Sequence, residues 1–312
     1  MKNLSPTAFV KAKTQEIRRI VKDSRALVAA SGGVDSTVTA ILAHRAVGAN
    51  LVVLFLDTGL MREGEPQAVE KLFAQYGIEL QIWDVQRNFF DALKGLTDPE
   101  DKRKAFRDTF YRTLGQAVRS YSAEVLLQGT IAADIVETQK GIKTQHNVLS
   151  QIGVNPANFG LRIVEPLKEL YKDGVRKVGK ALGLPQKVID RKPFPGPALA
   201  TRILGEVTPE RVEKIRRATA IVEKELSAPS IFQAFAVLFS DRATGIRDGK
   251  RELGEIIAVR VVESKNALTA APSRIPWPKL EKVRDLILTQ VPGVVKVVYD
   301  ITPKPPSTIE YI

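Results

Sequence analysis

The chain contains no cysteine. It therefore cannot form a disulfide bond, a thiolate zinc site or an iron–sulfur cluster, and it cannot supply a cysteine nucleophile. Histidine is almost absent as well, since only His44 and His146 occur, and a metal site built from several histidines is not expected. A catalytic cation would have to be a hard ion held by oxygen ligands and phosphates, for which magnesium is the natural candidate.

Long apolar runs are also lacking. No run approaches the roughly 20 residues that span a bilayer, and the basic helical stretch from Met1 to Asp23 has neither a hydrophobic signal core nor a small-residue cleavage site. We therefore expect a cytoplasmic protein without a membrane segment. Of the 312 residues, 44% are hydrophobic and 26% charged, a globular composition with enough apolar material for two domains.

The net charge of +12 favours anionic partners. A solvated surface, phosphorylated small molecules or a partner subunit would each account for this excess. Neither part of the chain is an extreme basic arm, so nucleic acid is the less favoured partner.

Short apolar segments alternate with helical patterns through the first two thirds of the chain, which predicts a parallel sheet covered by helices. The predicted strands are Arg25 to Ala30, Leu51 to Leu56, Glu79 to Val85, Glu124 to Leu127 and Leu161 to Pro166. The predicted helices are Thr37 to Val47, Pro66 to Tyr76, Asp98 to Ser120 and Lys172 to Leu182. Residues 128–159 are polar with little periodicity, which favours a functional loop.

The tract from Lys192 to Pro197 contains three prolines and cannot be helical, so it is interpreted as a rigid linker or binding loop. A further helix is predicted from Thr208 to Leu226. The strand-like segments beyond it are Ala234 to Phe239, Ile256 to Val262 and Val294 to Tyr299. This mixture of helices and antiparallel strands predicts a smaller α+β domain. The predicted domains are residues 1–200 and 201–312.

One motif follows the first predicted strand and precedes a helix, where phosphates bind in parallel α/β sheets. The residues we expect to bind a polyphosphate are Ser31, Gly32, Gly33, Val34, Asp35, Ser36 and Thr37. The glycines allow close backbone approach to an anion, while amides and hydroxyls donate to it. The motif is neither a Walker loop nor a dinucleotide fingerprint. A turn whose glycines serve only packing is the alternative.

Two carboxylates belong to this predicted site. Asp35 would repel a bound triphosphate unless a cation lay between them, so we assign it to magnesium. Asp57 ends the second predicted strand, at the carboxyl edge of the sheet where ligands collect. A helix cap is the alternative role for Asp57.

The motif SGGVDS resembles the pyrophosphate loop of the ATP pyrophosphatases, whose fold is similar to that of the adenine nucleotide alpha hydrolases. Several further segments resemble those of GMP synthases, in order and over nearly the whole chain. They are LDTGLMR (56–62), DPEDKRK (98–104), QGTIAADIVET (128–138), IKTQHNV (142–148), VEPLKELYKDGVRKVG (164–179), RKPFPGPALATRILGEV (191–207) and VVYDITPKPPSTIEYI (297–312).

The resemblance implies that ATP adenylylates O2 of xanthosine monophosphate with release of pyrophosphate, after which ammonia displaces AMP to give GMP. Lys143 would then be the cation at the transferring phosphate, with an exposed lysine of no role as the alternative. Asp134 would lie near the metal and the pyrophosphate, unless it only caps a helix. Gly129 would allow the backbone to approach the nucleotide. His146 is not expected to be the sole base.

For the nucleotide monophosphate, the resemblance points to the proline loop and the C-terminus. The residues implied are Pro195, Gly196, Lys304, Thr308, Ile309 and Glu310. Arg260 is implied more weakly as a phosphate ligand, and a surface ion pair is its alternative. The C-terminal domain is implied to form a homodimer.

Two-domain GMP synthases carry an amidotransferase domain before the synthetase part, and this chain starts almost directly at the nucleotide domain. Glutamine hydrolysis in that family needs a cysteine, and the chain has none. We therefore expect use of free ammonia and a separate glutamine amidotransferase subunit. A lysidine-type tRNA-modifying enzyme with the same loop, or a non-enzymatic nucleotide- or RNA-binding module, would be the alternative.

Overall fold

The computed structural model describes residues 5–139, 161–265 and 267–312. The chain divides into two compact units. The first comprises Met1–Asp57, Gly64–Asp84 and Asp108–Arg191, and the second comprises Thr58–Glu63, Val85–Arg107 and Lys192–Ile312. The second unit thus includes two short segments from well before the boundary that we predicted at residue 200.

The first unit contains a parallel sheet. Its described strands are β1 (Ala26–Ala29), β2 (Leu51–Asp57), β3 (Leu80–Asp84), β4 (Val125–Leu127) and β5 (Arg162–Val164). They lie in the order β3-β2-β1-β4-β5, and every neighbouring pair is parallel. The strands predicted from the short apolar runs are confirmed. Strand β1 is central because β2 and β3 extend the sheet on one side of it, and β4 and β5 extend it on the other.

Helices alternate with these strands along the chain, and residues 85–107 among them belong to the second unit. Those described up to residue 191 are α1 (Pro6–Val21), α2 (Val34–Val47), α3 (Glu65–Ala74), α4 (Gln86–Leu93), α5 (Pro99–Ser120), α6 (Ala132–Gln139), α7 (Lys172–Ala181) and α8 (Gln186–Ile189). Leu27 and Leu54 of the strands and Ile41 and Leu42 of α2 are almost completely buried. The runs of leucine and valine in the sequence form this apolar face of the sheet.

Helix α6 corrects one expectation, because it lies inside the stretch 128–159 that we predicted to be a loop. It has only eight residues, which is too short for an apolar periodicity to be detected. Residues 140–159 of that stretch lie outside the described part of the chain.

The second unit contains a mixed sheet and further helices. The described elements from residue 192 onward are a 3₁₀ helix (Ala198–Arg202), α9 (Pro209–Glu225), β6 (Gln233–Arg247), β7 (Lys250–Glu263), β8 (Ala271–Pro272), α10 (Trp277–Gln290) and β9 (Val294–Asp300). Strand β7 pairs antiparallel with β6 and β8 but parallel with β9. The expectation of antiparallel strands is therefore wrong for β9. Phe235, Val237, Ala258 and Ile309 belong to the core of this unit.

Strands β6 and β7 form a hairpin of 15 and 14 residues, about twice as long as predicted. Its turn lies at Asp248 and Gly249, whose φ angles of +52° and +76° match the positive values that tight hairpin turns require. The outer half of the hairpin is mostly polar and exposed. The sequence therefore lacks the apolar signal there by which strands are recognised.

Within the described residues, none of the helices is both long enough and apolar enough to cross a membrane.

Candidate active site

The predicted phosphate loop, residues 31–36, leaves the carboxyl end of β1 and enters α2. Strand β1 pairs with β2 on one side and with β4 on the other, so the direction of chain progression reverses between β1 and β4. Ligands of open α/β sheets bind at such a switch point, outside the carboxyl ends of the strands. The loop thus occupies the expected position for a ligand site.

Hydrogen bonds within the loop define its shape. Ser31 Oγ and Ser36 Oγ are 3.1 Å apart, and the Ser31 amide donates to Ser36 Oγ across 3.2 Å. Thr37 Oγ1 donates to the Gly33 carbonyl across 2.8 Å. Gly32 has a φ of +74°, a conformation that favours glycine. The contacts between the two serines therefore join the two ends of the loop.

Helix α2 begins at Val34, three residues earlier than predicted. Asp35 and Ser36 consequently belong to its first turn, and the glycine at its N-cap, Gly33, has no side chain to cap the helix. The first amides of a helix have no acceptor within the helix and carry partial positive charge. The N-terminus of α2 can therefore donate hydrogen bonds to an anion in the loop.

Asp35 is a mostly buried carboxylate at this N-terminus. Its Oδ2 accepts a hydrogen bond from Lys172 Nζ at 2.7 Å. Its Oδ1 is buried and has no hydrogen-bond partner within the described residues. Burial raises the pKa of Asp35, the charge of Asp134 adds to this effect, and Lys172 opposes it. A cation at Oδ1 would remove the cost of leaving that oxygen unsatisfied.

Asp134 lies in the first turn of α6, and its Oδ2 accepts a hydrogen bond from the Ile131 amide at 3.0 Å. This bond satisfies an amide at the start of the helix, as an acidic residue in a capping box does. The capping role that we left open is thus observed, and the charge of Asp134 also contributes to the raised pKa of Asp35, the predicted metal ligand.

Magnesium fits this pair of carboxylates. Within the part of the chain that the structure describes, no group of three or more potential metal ligands occurs. Magnesium does not need such a group, because it is held by one or two carboxylates together with substrate phosphates and water. Asp35 and Asp134 would be those carboxylates.

Gly129 packs directly against the phosphate loop. A Cβ atom at this position would lie 3.0 Å from both the Asp35 carbonyl carbon and the Ser36 amide nitrogen. Gly129 follows β4, so the two loops of the switch point touch through backbone atoms. This contact is a structural reason for glycine at position 129, in addition to the predicted approach of the backbone to a nucleotide.

Asp57 is the last residue of β2, as predicted, and pairs in register with Asp84 of β3. The N-cap residue of α3 is Gly64. Lys143 and His146 lie outside the described residues.

The predicted substrate residue Glu310, in the second unit, belongs to a buried polar cluster. Arg202 donates to both of its carboxylate oxygens, at 3.1 and 3.0 Å, and Gln233 Nε2 donates to Oε1 at 3.0 Å. Arg202 is only 1% exposed, and its guanidinium lies over the rings of Phe194 and Phe235. The Nη1 atom of Arg202 has no hydrogen-bond partner within the described residues.

Arg260 is fully buried. Its guanidinium donates to the carbonyls of Ile309, Thr302 and Thr308 and to Asp300 Oδ2, at distances between 2.6 and 3.0 Å. These hydrogen bonds hold the C-terminal segment in place. Arg260 forms an ion pair with Asp300. Our alternative for Arg260 was a surface ion pair, whereas this pair is buried.

Of the remaining predicted substrate residues, Ile309 is buried in the core of the second unit. The others lie at the surface or close to it. Lys304 Nζ donates to the Ala267 carbonyl at 2.9 Å, and Thr308 Oγ1 donates to the Glu310 carbonyl. Pro195 accepts from the Ala198 amide at 3.0 Å. Gly196 is exposed, with open space where a Cβ atom would stand.

Sequence reasoning missed three residues at these places, namely Lys172, Arg191 and Arg202. Lys172 contacts Asp35, and Arg191 donates to the Gly32 carbonyl at 2.8 Å. All three lie in segments that resemble GMP synthase motifs. No spacing rule connects them to their partners, which are 137, 159 and 108 residues away along the chain.

Comparisons with known proteins agree with this geometry. A model described as NAD synthase matches residues 7–196, and one described as GMP synthase C terminal domain matches residues 220–311. One subunit of the glutamine-hydrolyzing GMP synthase of Methanopyrus kandleri is 47% identical over 98% of this chain and 99% of that protein. The corresponding subunit from Archaeoglobus fulgidus is 49% identical over 97% of this chain and 98% of that protein. The chain belongs to this family of GMP synthase subunits.

The predicted enzyme class, an ATP-dependent GMP synthase ligase, is thereby confirmed, and the tRNA-modifying alternative is not favoured. The NMN synthetase of Francisella tularensis has a similar structure, with a TM-score of 0.50 at 19% identity over 68% of this chain and 86% of that one. At this identity the likeness supports only the predicted ATP-pyrophosphatase fold, which the match to NAD synthase also supports.

Proposed function

We propose that this GMP synthase subunit adenylylates O2 of xanthosine monophosphate with ATP and that ammonia then displaces AMP to give GMP. The observation that carries the proposal is the loop of residues 31–36, which lies at the switch point of the parallel sheet and opens onto the uncapped N-terminus of α2. A site of this kind binds phosphates through backbone amides.

In this proposal the loop binds the β- and γ-phosphates of ATP, so that the bond to the α-phosphate is the one that breaks. The amides at the start of α2 and the hydroxyls of Ser31 and Ser36 donate to the pyrophosphate. Asp35 and Asp134 would hold a magnesium ion, which neutralises phosphate charge. Lys143 is proposed to contact the α-phosphate and Asp57 to line the same edge of the sheet.

The adenylyl group turns a poor leaving group, the purine oxygen, into a good one. Little covalent chemistry remains for the protein, which positions the reactants and stabilises charge. Donation by the loop to the departing pyrophosphate stabilises the negative charge that develops as the bond breaks.

For xanthosine monophosphate we propose the residues of the second unit. Lys304 and Thr308 would bind the phosphate, while Pro195 and Gly196 would contact the purine. Ile309 and Glu310 are held in position by Arg260 and Arg202. We propose that Arg260 acts on the substrate through this segment, since its own donors are occupied by carbonyls and Asp300.

The proposed source of ammonia is a separate glutamine amidotransferase subunit. A chain without cysteine cannot provide the cysteine nucleophile of glutamine hydrolysis. A homodimer formed by the second unit and a cytoplasmic location are part of the same proposal.

The test measures AMP and pyrophosphate from ATP, magnesium and ammonium, with and without xanthosine monophosphate. We expect both products only with the purine nucleotide, no reaction when glutamine replaces ammonium, and at least a roughly 100-fold loss of kcat in Asp35→Ala, on the order of what one charge-stabilising group contributes. Asp91→Ala, which removes a largely exposed carboxylate, is the matched control. Release of ADP and phosphate instead would refute the proposal.

A further inference from the structure

A largely buried ion pair between Arg191 and Glu65 holds the phosphate loop. Arg191 Nη1 donates to the Gly32 carbonyl at 2.8 Å, and Arg191 Nη2 donates to Glu65 Oε1. Gly32, Glu65 and Arg191 all belong to the first unit. The pair therefore connects the loop to the first turn of α3, where Glu65 lies.

The orientation of one peptide group follows from this contact. A peptide unit is planar and trans, so its carbonyl and its amide point in opposite directions. When Arg191 fixes the Gly32 carbonyl, it also fixes the Gly33 amide, which belongs to the same peptide unit. That amide makes a long hydrogen bond of 3.4 Å to Ser31 Oγ within the loop.

The surroundings of the pair indicate more than a surface contact. Glu65 is 3% exposed, and its Oε2 is buried without a hydrogen-bond partner in the described residues. Leaving a buried carboxylate oxygen unsatisfied costs free energy. The loop is also closely packed here, since a Cβ atom at Gly32 would lie 2.5 Å from Val69 Cγ2 and 2.9 Å from Arg191 Nη1.

We propose that Arg191, oriented by Glu65, is a positioning residue that sets the Gly33 amide for the pyrophosphate end of the nucleotide. It acts through the backbone and does not itself contact the phosphates. The inference rests on the proposed function, because it presupposes that the loop binds pyrophosphate. It predicts a specific loss of pyrophosphate and ATP binding.

The experiment measures the Kd of magnesium pyrophosphate by calorimetry and the KM values of ATP and xanthosine monophosphate. The variants are Arg191→Met and Glu65→Gln. For Arg191→Met we expect the Kd of pyrophosphate and the KM of ATP to rise about tenfold, the factor for roughly one hydrogen bond. The KM of xanthosine monophosphate should stay within about twofold. Glu65→Gln should show a smaller change in the same direction.

Lys13→Met is the matched control, because it removes an ion pair of the same unit whose cationic side chain is at least as buried as that of Arg191. It should leave the Kd of pyrophosphate unchanged. If Arg191→Met does not fold, Arg191→Lys replaces it, since lysine keeps the charge but lacks the second arm of the guanidinium.

Three outcomes would overturn the inference. They are an unchanged Kd of pyrophosphate, an equal rise in both KM values, and the same loss in Lys13→Met. Wild-type protein that binds no pyrophosphate would overturn the proposed function as well, so the two failures are distinguishable.

Discussion

Lys172 Nζ donates a hydrogen bond of 2.7 Å to Asp35 Oδ2. The lysine opens α7, and the aspartate lies in the first turn of α2. The ammonium group partly neutralises this mostly buried carboxylate. A magnesium ion at Asp35 would supply a second positive charge, so the lysine and the ion would both offset the negative charge of this carboxylate.

We predict that Lys172→Met lowers stability by about 1 kcal/mol, because it removes the cation beside a carboxylate that is largely withdrawn from water. Magnesium chloride should then raise the midpoint of thermal unfolding more in the variant than in the wild type, since the ion replaces the missing charge. Lys177→Met, an exposed lysine of the same helix, is the control. Equal magnesium effects in wild type and Lys172→Met would contradict the prediction.

The first unit could be predicted well because its signals are local. Strands β1 and β2 are continuous apolar runs, and the glycine pair of the loop follows β1 directly. The ion pairs around the loop could not be predicted, since Arg191 and Lys172 reach their partners only through the fold. The length of the β6–β7 hairpin and the parallel pairing of β9 were missed for a related reason, because exposed polar strands and strand direction leave little trace in the local pattern.

Gly129 provides a second test, in which the close approach of the two loops is altered. In Gly129→Ala the added methyl group would lie 3.0 Å from backbone atoms of Asp35 and Ser36, which cannot rotate away as a side chain could. We predict a loss of about 1 to 3 kcal/mol in the free energy of unfolding, and a lower kcat/KM for ATP because the loop is displaced.

Urea denaturation and pyrophosphate release would measure these two effects of Gly129→Ala. The matched control is Gly115→Ala within α5, where the added methyl group would meet only the end of the Arg119 side chain, at 3.8 Å. That change should be neutral or slightly stabilising, because alanine is the better helix former. Comparable losses in both variants would show that the contact with the loop is not the cause.

Lys102 shows how the second unit holds the segment that follows its proline loop. The side chain extends from α5, its residue is 1% exposed, and its Nζ donates to the Ile203 carbonyl at 2.8 Å. Burial lowers the pKa of Lys102 to about 8; the nearby charge of Arg211 acts in the same direction and that of Asp98 opposes it.

This pKa predicts a pH dependence of stability with a definite sign. Between about pH 8 and the ordinary lysine pKa of 10.5, the unfolded chain binds more protons at this residue than the folded one, so the contribution of Lys102 to stability rises with pH. Relative to Lys102→Met, the wild type should gain on the order of 1 kcal/mol between about pH 7.5 and pH 9.5. Urea denaturation of both proteins at these two values measures the difference. A constant difference would show that the lysine keeps its ordinary pKa in the folded protein, and one that shrinks as the pH rises would show a raised pKa, so either result would contradict the prediction.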